Sequence, residues 1–338
     1  MESKEKIIRK NNIILSLLLF AIIIMFAISP KENMDASWEG VKVWALYLLP
    51  ALFPFFILTK ALSSLGTIKK VGDKLSGVTK FLFKAPGISM YVYLMSILSG
   101  YPVGGKLVAD LYEDNSITRN EAIKITTFTS TSGPLFVVGT VGVGMLSDFR
   151  LGLIVLIAHY IGALLNGLLF RRYGSSIKEN PNIKTAGQAF EAVQQNKNVL
   201  ENIMWSSIKS VLIIGGYVSI FSVFIQILTD YRLLYPINKL LDWLLSLIGL
   251  SSNIAPGITA GFFEITQGCL VLSETLLPLP ILAIILTFII SFGGLCVHLQ
   301  AMIFLKRFNM KISFYFLIKI TQAILSALVC LPLSFILI

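Results

Sequence analysis

Charged residues are scarce in this 338-residue chain. Asp, Glu, Lys and Arg together make up 14% of it, where an ordinary soluble domain carries about 25%. That deficit excludes a conventional water-soluble enzyme. Histidine occurs twice, and the three cysteines, Cys269, Cys296 and Cys330, are widely spaced inside apolar stretches. Ligands so few and so scattered support neither a disulfide framework nor a metal centre. Basic residues outnumber acidic ones, 28 to 18, for a formal net charge of +10. No basic stripe interleaved with aromatics accompanies that surplus, so nucleic acid is not an expected partner. A nucleophile–base pair, a metal motif and a phosphate loop are also missing, and no enzymatic activity or tightly held cofactor is expected.

What the chain has in quantity is apolar sequence. Hydrophobic residues form 55% of it and the mean hydropathy is +0.80. The apolar residues fall in blocks near the roughly 20 needed to cross a bilayer as a helix. The expected fold class is therefore an all-α polytopic membrane protein embedded in lipid as one unit. Full-length blocks cover 13–29, 43–62, 151–170, 208–228, 280–305 and 313–338. The first follows Lys4, Lys6, Arg9 and Lys10 and runs into Pro30 and charged residues rather than a small-residue cleavage site. It reads as an uncleaved helix with a cytoplasmic N-terminus.

Two further apolar stretches, 86–111 and 254–277, are interrupted in their middles, and the positive-inside rule decides how they thread. Lys and Arg cluster in 60–84 and in 171–201, which places both inside. The block 151–170 ends on Arg171 and Arg172, so it runs inward, and 123–147 before it runs outward. Stretch 86–111 then begins and ends inside, as a re-entrant helical hairpin with its tip near Ser99–Gly105. Lys306, Arg307 and Lys311 are also inside, so 254–277 enters and leaves from the outside, opposite in sense. On this threading the cytoplasmic segments hold 21 of the 28 basic residues and the C-terminus is external.

Two hairpins dipping from opposite faces are the mark of an inverted repeat. A shift of 161 positions lays Trp44 on Trp205, Gly100 on Gly261 and Gly133 on Gly294 without a gap. The expected organisation is an N-terminal helix (1–37), a first repeat (38–170), a cytoplasmic linker (171–201) and a second repeat (202–338). In each half an amphipathic segment precedes the hairpin: Ile68, Val71, Leu75 and Val78 in one, Leu233, Ile237, Leu240, Leu241 and Leu244 in the other. Each hairpin is followed by a span broken at its centre. Thr118 and Glu121 form a capping box that starts the first, which stops at Thr129-Ser-Thr-Ser-Gly-Pro134. Ser291-Phe-Gly-Gly294 is the matching break in the second.

Irregular backbone at membrane depth persists only where protein or a wet cavity satisfies it, so tips and breaks are the candidate site. Half-helix N-termini there favour an anionic or strongly polar ligand. Lys106 either pairs with a substrate carboxylate or forms an internal i, i+4 pair with Asp110. The hydroxyls of Thr129 to Ser132 either donate to substrate or bond freed carbonyls. Glu264, with Thr266 and Gln267, suits coupling or gating. His298 and Gln300 either meet substrate or bond between helices; His159 and Asn166 are read as interhelical.

The motifs Ser99-Gly-Tyr-Pro-Val-Gly-Gly-Lys106, Thr131-Ser-Gly-Pro-Leu-Phe136, Gly261-Phe-Phe-Glu-Ile-Thr-Gln-Gly268 and Ser291-Phe-Gly-Gly294 with His298 together resemble the YlbJ (SpoVV) family of sporulation integral membrane proteins. That family is in the gate, or nucleoside-recognition, group related to concentrative nucleoside transporters. The resemblance implies two hairpins and two unwound spans around a central site, an elevator-like motion, and a homo-oligomer as an open option. It further implies transport of dipicolinic acid, a small aromatic dianion, across the outer forespore membrane, with a proton or sodium ion as candidate coupling species. The residues at the tip and the breaks expected to bind substrate are Ser99, Gly100, Gly104, Gly105, Lys106, Thr131, Ser132, Gly133, Gly293, Gly294 and His298. A non-transporting assembly factor and a nucleoside transporter are the alternatives.

Overall fold

The computed structural model of the chain describes residues 13, 16–17, 19–173, 199–250 and 254–337. The basic N-terminal cluster and most of the expected linker 171–201 lie outside the described residues. Among the described residues the secondary structure is entirely helical. Five helical stretches among the described residues are long and apolar enough to cross a membrane: Pro30–Ser64, Phe149–Leu169, Val199–Asp230, Leu279–Phe308 and Ile312–Leu337. Their lipid-facing sides carry residues such as Leu58, Ile220 and Phe335, each more than 60% exposed. Such a surface suits hydrocarbon rather than water.

Helix α1 (Leu19–Ile28) leads through a bend at Ser29 into α2 (Pro30–Ser64), which contains one π-helical stretch at Trp44–Leu48. The segment 31–42, between the expected spans 13–29 and 43–62, is therefore helical. Pro30 fits the first turn, where its missing N–H would have had no partner. Small residues then seat the segment on α10 (Val199–Asp230). Ser37 Oγ lies 2.9 Å from Ser219 Oγ, and farther along α2 the Trp44 indole donates to the Val211 carbonyl at 3.0 Å. As one helix advances the other retreats, so the two are antiparallel.

The amphipathic stretch after α2 is split at Leu75 into α3 (Thr67–Lys74) and α4 (Ser76–Phe83). Next come α5 (Ser89–Ser99) and α6 (Val103–Glu113), joined by Gly100-Tyr101-Pro102. Each has 11 residues, about 16 Å at 1.5 Å per residue, so neither arm crosses a hydrocarbon core of about 30 Å. Helix α7 (Arg119–Thr129) starts on the expected capping box, with Thr118 N donating to Glu121 Oε2 at 2.8 Å and Glu121 N to Thr118 Oγ1 at 3.3 Å. It stops at Ser130–Pro134, and α8 (Leu135–Met145) resumes with π-helical winding. Helix α9 (Phe149–Leu169) closes this half.

In the second half α11 (Tyr235–Ser246) precedes α12 (Ala255–Phe263) and α13 (Ile265–Ser273). The last two form an antiparallel pair of nine-residue arms. Gly257 packs on Leu272 and Gly261 on Gly268. Helix α14 (Leu279–Phe292) breaks at Gly293, α15 (Gly294–Leu305) follows, and α16 (Ile312–Leu337) ends the fold. Helices α9 and α16 pack antiparallel: Gly162 faces Ser326, while Asn166 donates to the Ile318 carbonyl at 3.2 Å and accepts from Thr321 at 2.7 Å.

Two adjacent glycines of α10 provide a test of this packing. A Cβ on Gly215 would fall 2.7 Å from the Trp44 ring, whereas one on Gly216 meets nothing within 4 Å. Gly215→Leu is expected to destabilise the purified protein by about 1–3 kcal/mol, the usual cost of overpacking, and Gly216→Leu to leave it unchanged. Thermal unfolding in detergent, followed by size-exclusion chromatography, reads both.

Candidate functional site

Both interhelical turns, the first helix break and the helix after the second converge on one interior cavity of about 70 Å³. The first turn contributes Ser99, Gly100 and Tyr101, and the second Glu264, Ile265 and Thr266. The first break and the start of α8 contribute Ser132, Gly133, Leu135 and Phe136, and α15 contributes Cys296, Val297 and Gln300, while Gly293 and Gly294 of the second break do not line it. Leu48, Leu52, Phe55 and Phe56 of α2 and Ile214 and Val218 of α10 complete the wall. The lining is apolar and aromatic with a few convergent polar groups, as small-ligand sites usually are.

Main-chain atoms bring each turn against its break. Gly100 has φ +70°, and a Cβ there would lie 2.7 Å from the Gly133 nitrogen. Gly294 has φ +68°, and a Cβ there would lie 3.0 Å from the Gly261 carbonyl oxygen. Only glycine permits both the left-handed conformation and the approach.

Side chains from elsewhere satisfy the backbone groups that the first break frees. The Thr129 carbonyl accepts from Ser96 Oγ. The Ser130 carbonyl accepts from Lys319 Nζ at 3.0 Å and Gln322 Nε2 at 3.3 Å. The Ser132 carbonyl accepts from Tyr160 Oη at 3.2 Å, and the Ser132 N–H donates to His159 Nε2 at 2.9 Å. Because Nε2 accepts, the ring proton is on Nδ1, which lies 2.7 Å from Ser291 Oγ and donates to it. His159 is fully buried and thus ties the first break to the second. Tyr101 makes another tie, with Oη donating toward the Ile290 and Ser291 carbonyls at 3.3 and 3.4 Å.

Of the residues singled out from sequence, Ser99, Gly100, Ser132, Gly133, Glu264 and Thr266 line the cavity. Glu264 caps α13: Oε2 accepts from Gln267 N at 2.7 Å and Oε1 from Thr266 Oγ1 at 3.0 Å. The Gln267 side chain donates instead to Ser222 Oγ of α10 at 2.8 Å. Thr131 Oγ1 is taken up by Ser96 Oγ at 2.8 Å, and Ser130 Oγ by Tyr315 Oη at 3.2 Å. Gly293 packs beside the Tyr101 ring. Gly104 and Gly105 border a separate void of about 10 Å³.

Lys106 and His298 sit farthest from the substrate-contact expectation in kind, since their side chains are engaged elsewhere or enclosed. Lys106 takes the internal alternative, with Nζ 3.5 Å from Asp110 Oδ2 and its side chain 57% exposed. His298 neither lines the cavity nor bonds between helices. Both its ring nitrogens lack a hydrogen-bond partner, and Phe292, Phe316 and Tyr315 surround it edge-on at 4.7, 4.8 and 5.4 Å. The helical period explains this: Cys296, Val297 and Gln300 share the cavity face, and 298 falls on the opposite side. Sequence reasoning passed over Tyr101, Ser291 and the bridging geometry of His159. The visible signal was a lone histidine in an apolar helix, with nothing local to name its partners.

These features define a polytopic membrane protein whose interior cavity is built from two helix–turn–helix units and two interrupted helices. Residues 211–309 match the Gate family, described as nucleoside recognition. Over 312 residues the chain is 32% identical to the sporulation integral membrane protein YlbJ of Bacillus subtilis (strain 168), spanning 88% of this chain and 76% of that protein. The chain belongs to the YlbJ family, as its motifs implied. No solved structure matches it.

Replacing His159 by Ala leaves the Ser132 N–H and the Ser291 hydroxyl buried without partners. Each such group costs about 1–3 kcal/mol. His159→Ala is expected to lower the thermal midpoint in detergent by more than Ser291→Ala, and His159→Gln, which keeps an acceptor, by less than His159→Ala.

Proposed function

We propose that this protein moves dipicolinate across the outer forespore membrane during sporulation, binding it in the central cavity. The observation that carries this reading is the convergence of both turns, the first break and α15 on one cavity. Helix α8 begins at that cavity and the first turn of α15 reaches it through Cys296 and Val297, and helix N-termini favour anionic groups. Phe55, Phe56, Tyr101 and Phe136 in its wall suit a flat aromatic ring. The sporulation role comes from the relative's name.

The transporter architecture proposed with it is an inverted repeat with two re-entrant hairpins. A shift of 161 positions carries α6 onto α13, the α7/α8 break onto the α14/α15 break, and α9 onto α16. It also carries the Gly100–Gly133 contact onto Gly261–Gly294. The repeat-related pairs α9/α16 and α2/α10 pack antiparallel, which is what inversion produces for helices near the pseudo-two-fold axis. Arms of 9 and 11 residues fit hairpins that dip and return. In this arrangement Ser99, Gly100, Ser132 and Gly133 contact substrate, Glu264 and Thr266 gate or couple, the N-terminus is cytoplasmic and the C-terminus external.

Purified protein in proteoliposomes is expected to give dipicolinate flux above empty liposomes, reduced at least tenfold in Ser132→Ala and Glu264→Gln and retained in Lys106→Ala. Flux equal to empty liposomes would favour an assembly role. Competition by nucleosides would favour the ligand class in the Gate description.

Threading has its own test, since the three native cysteines are buried. In intact cells a membrane-impermeant thiol reagent is expected to label Leu276→Cys, between α13 and α14, and to spare Phe81→Cys on α4. The reverse pattern would invert the orientation.

A further inference from the structure

Lys319 is the eighth residue of α16 and is fully buried. Its ammonium does not turn toward an aqueous face. It points inward, donating to Tyr101 Oη at 2.8 Å, Gln322 Oε1 at 2.8 Å and the Ser130 carbonyl at 3.0 Å. Those three acceptors use all its N–H groups, and all three are neutral. None of the ion pairs among the described residues includes Lys319. The hydrogen bonds are therefore complete while the charge has no counter-charge.

A buried lysine in that condition is an expensive way to hold three neutral oxygens together. An ammonium removed from water retains a large desolvation cost unless an opposite charge offsets it, and charged groups at membrane depth mark ligand and ion pathways. A neutral amide would supply donors at the same position without that cost. The position of the charge indicates where an offset can come from. Tyr101, which accepts from Lys319, also carries the ammonium 4.7 Å from its ring centroid, and Tyr101 is part of the cavity wall. The charge thus stands one aromatic ring behind that wall. Glu264 enters the cavity from the opposite turn, with both its oxygens accepting from Thr266 and the start of α13.

From this placement we infer that Lys319 is the charge-selecting residue of the central cavity, its ammonium serving as the counter-charge for a carboxylate-bearing ligand. The inference rests on reading the cavity as the substrate site. It assigns anion preference to the Lys319–Tyr101 side of the cavity, and it leaves Glu264 with no attractive role toward the anion.

Binding to the purified full-length protein in detergent tests this, with pyridine-2,6-dicarboxylate, isophthalate and benzoate as carboxylate probes and pyridine-2,6-dicarboxamide as the neutral one. Lys319→Gln, which keeps hydrogen-bond donors, is expected to weaken carboxylate binding at least tenfold, about 1.4 kcal/mol. The diamide should bind it as it binds wild type. Carboxylate affinity within twofold of wild type in Lys319→Gln would overturn the inference and leave the transport reading standing. Equal losses for carboxylates and diamide would make Lys319 structural and also overturn it, as would failure of both Lys319→Gln and Lys319→Met to elute monodisperse. Wild-type binding of isophthalate or benzoate but not dipicolinate, lost in Lys319→Gln, would uphold the inference and remove dipicolinate as the ligand. No carboxylate binding by wild type would overturn both.

Discussion

A peptide group that leaves its helix inside a bilayer has no water to turn to, and each one left unpaired costs several kcal/mol. This chain interrupts two helices in its buried interior, at Ser130–Pro134 and at Gly293, and much of its packing can be derived from that demand. Ser96, Tyr160, Gln322 and Lys319 supply donors to carbonyls of the first break, and Ser96 and His159 supply acceptors to its Thr131 and Ser132 N–H groups. Tyr101 serves the carbonyls of the second. These side chains come from α5, the first turn, α9 and α16, so the breaks bind together helices far apart in sequence.

Serving the backbone also decides which side chains remain free for a ligand. Of the four consecutive hydroxyls Thr129 to Ser132, three are consumed: Thr129 by the Ile125 carbonyl, Ser130 by Tyr315 and Thr131 by Ser96. Only Ser132 reaches the cavity. Polar groups are plentiful around the cavity, but few are uncommitted, and those few are split between the two halves of the chain.

The parts legible in the sequence were those written in local chemistry. Gly and Pro marked both turns and both breaks, the capping box at Thr118 marked the start of α7, and Gly100, Gly133, Gly261 and Gly294 marked the two places where main chain meets main chain. Long-range partners were not legible. Nothing near His159 announces Ser132 and Ser291, and nothing near Lys319 announces Tyr101, because those bonds exist only after packing. The continuity of helix from Pro30 into the span was not legible, because the charges Lys31, Glu32, Asp35, Glu39 and Lys42 masked the small residues Ser37 and Gly40 that seat the segment on α10. For His298 the error was one of angle: the residue type was suggestive, but its position on α15 turns it away from the cavity.

The two glycine pairs have a consequence for how such a scaffold diversifies. Contact between Gly100 and Gly133, and between Gly261 and Gly294, is made by main chain alone. It therefore carries no information about the ligand and demands nothing of neighbouring side chains beyond room. Residues such as Ser99, Phe136, Thr266 and Gln300 can be exchanged around that fixed joint without re-engineering it. A duplicated gene would inherit both joints intact, and its descendants could change the cavity by altering the lining alone.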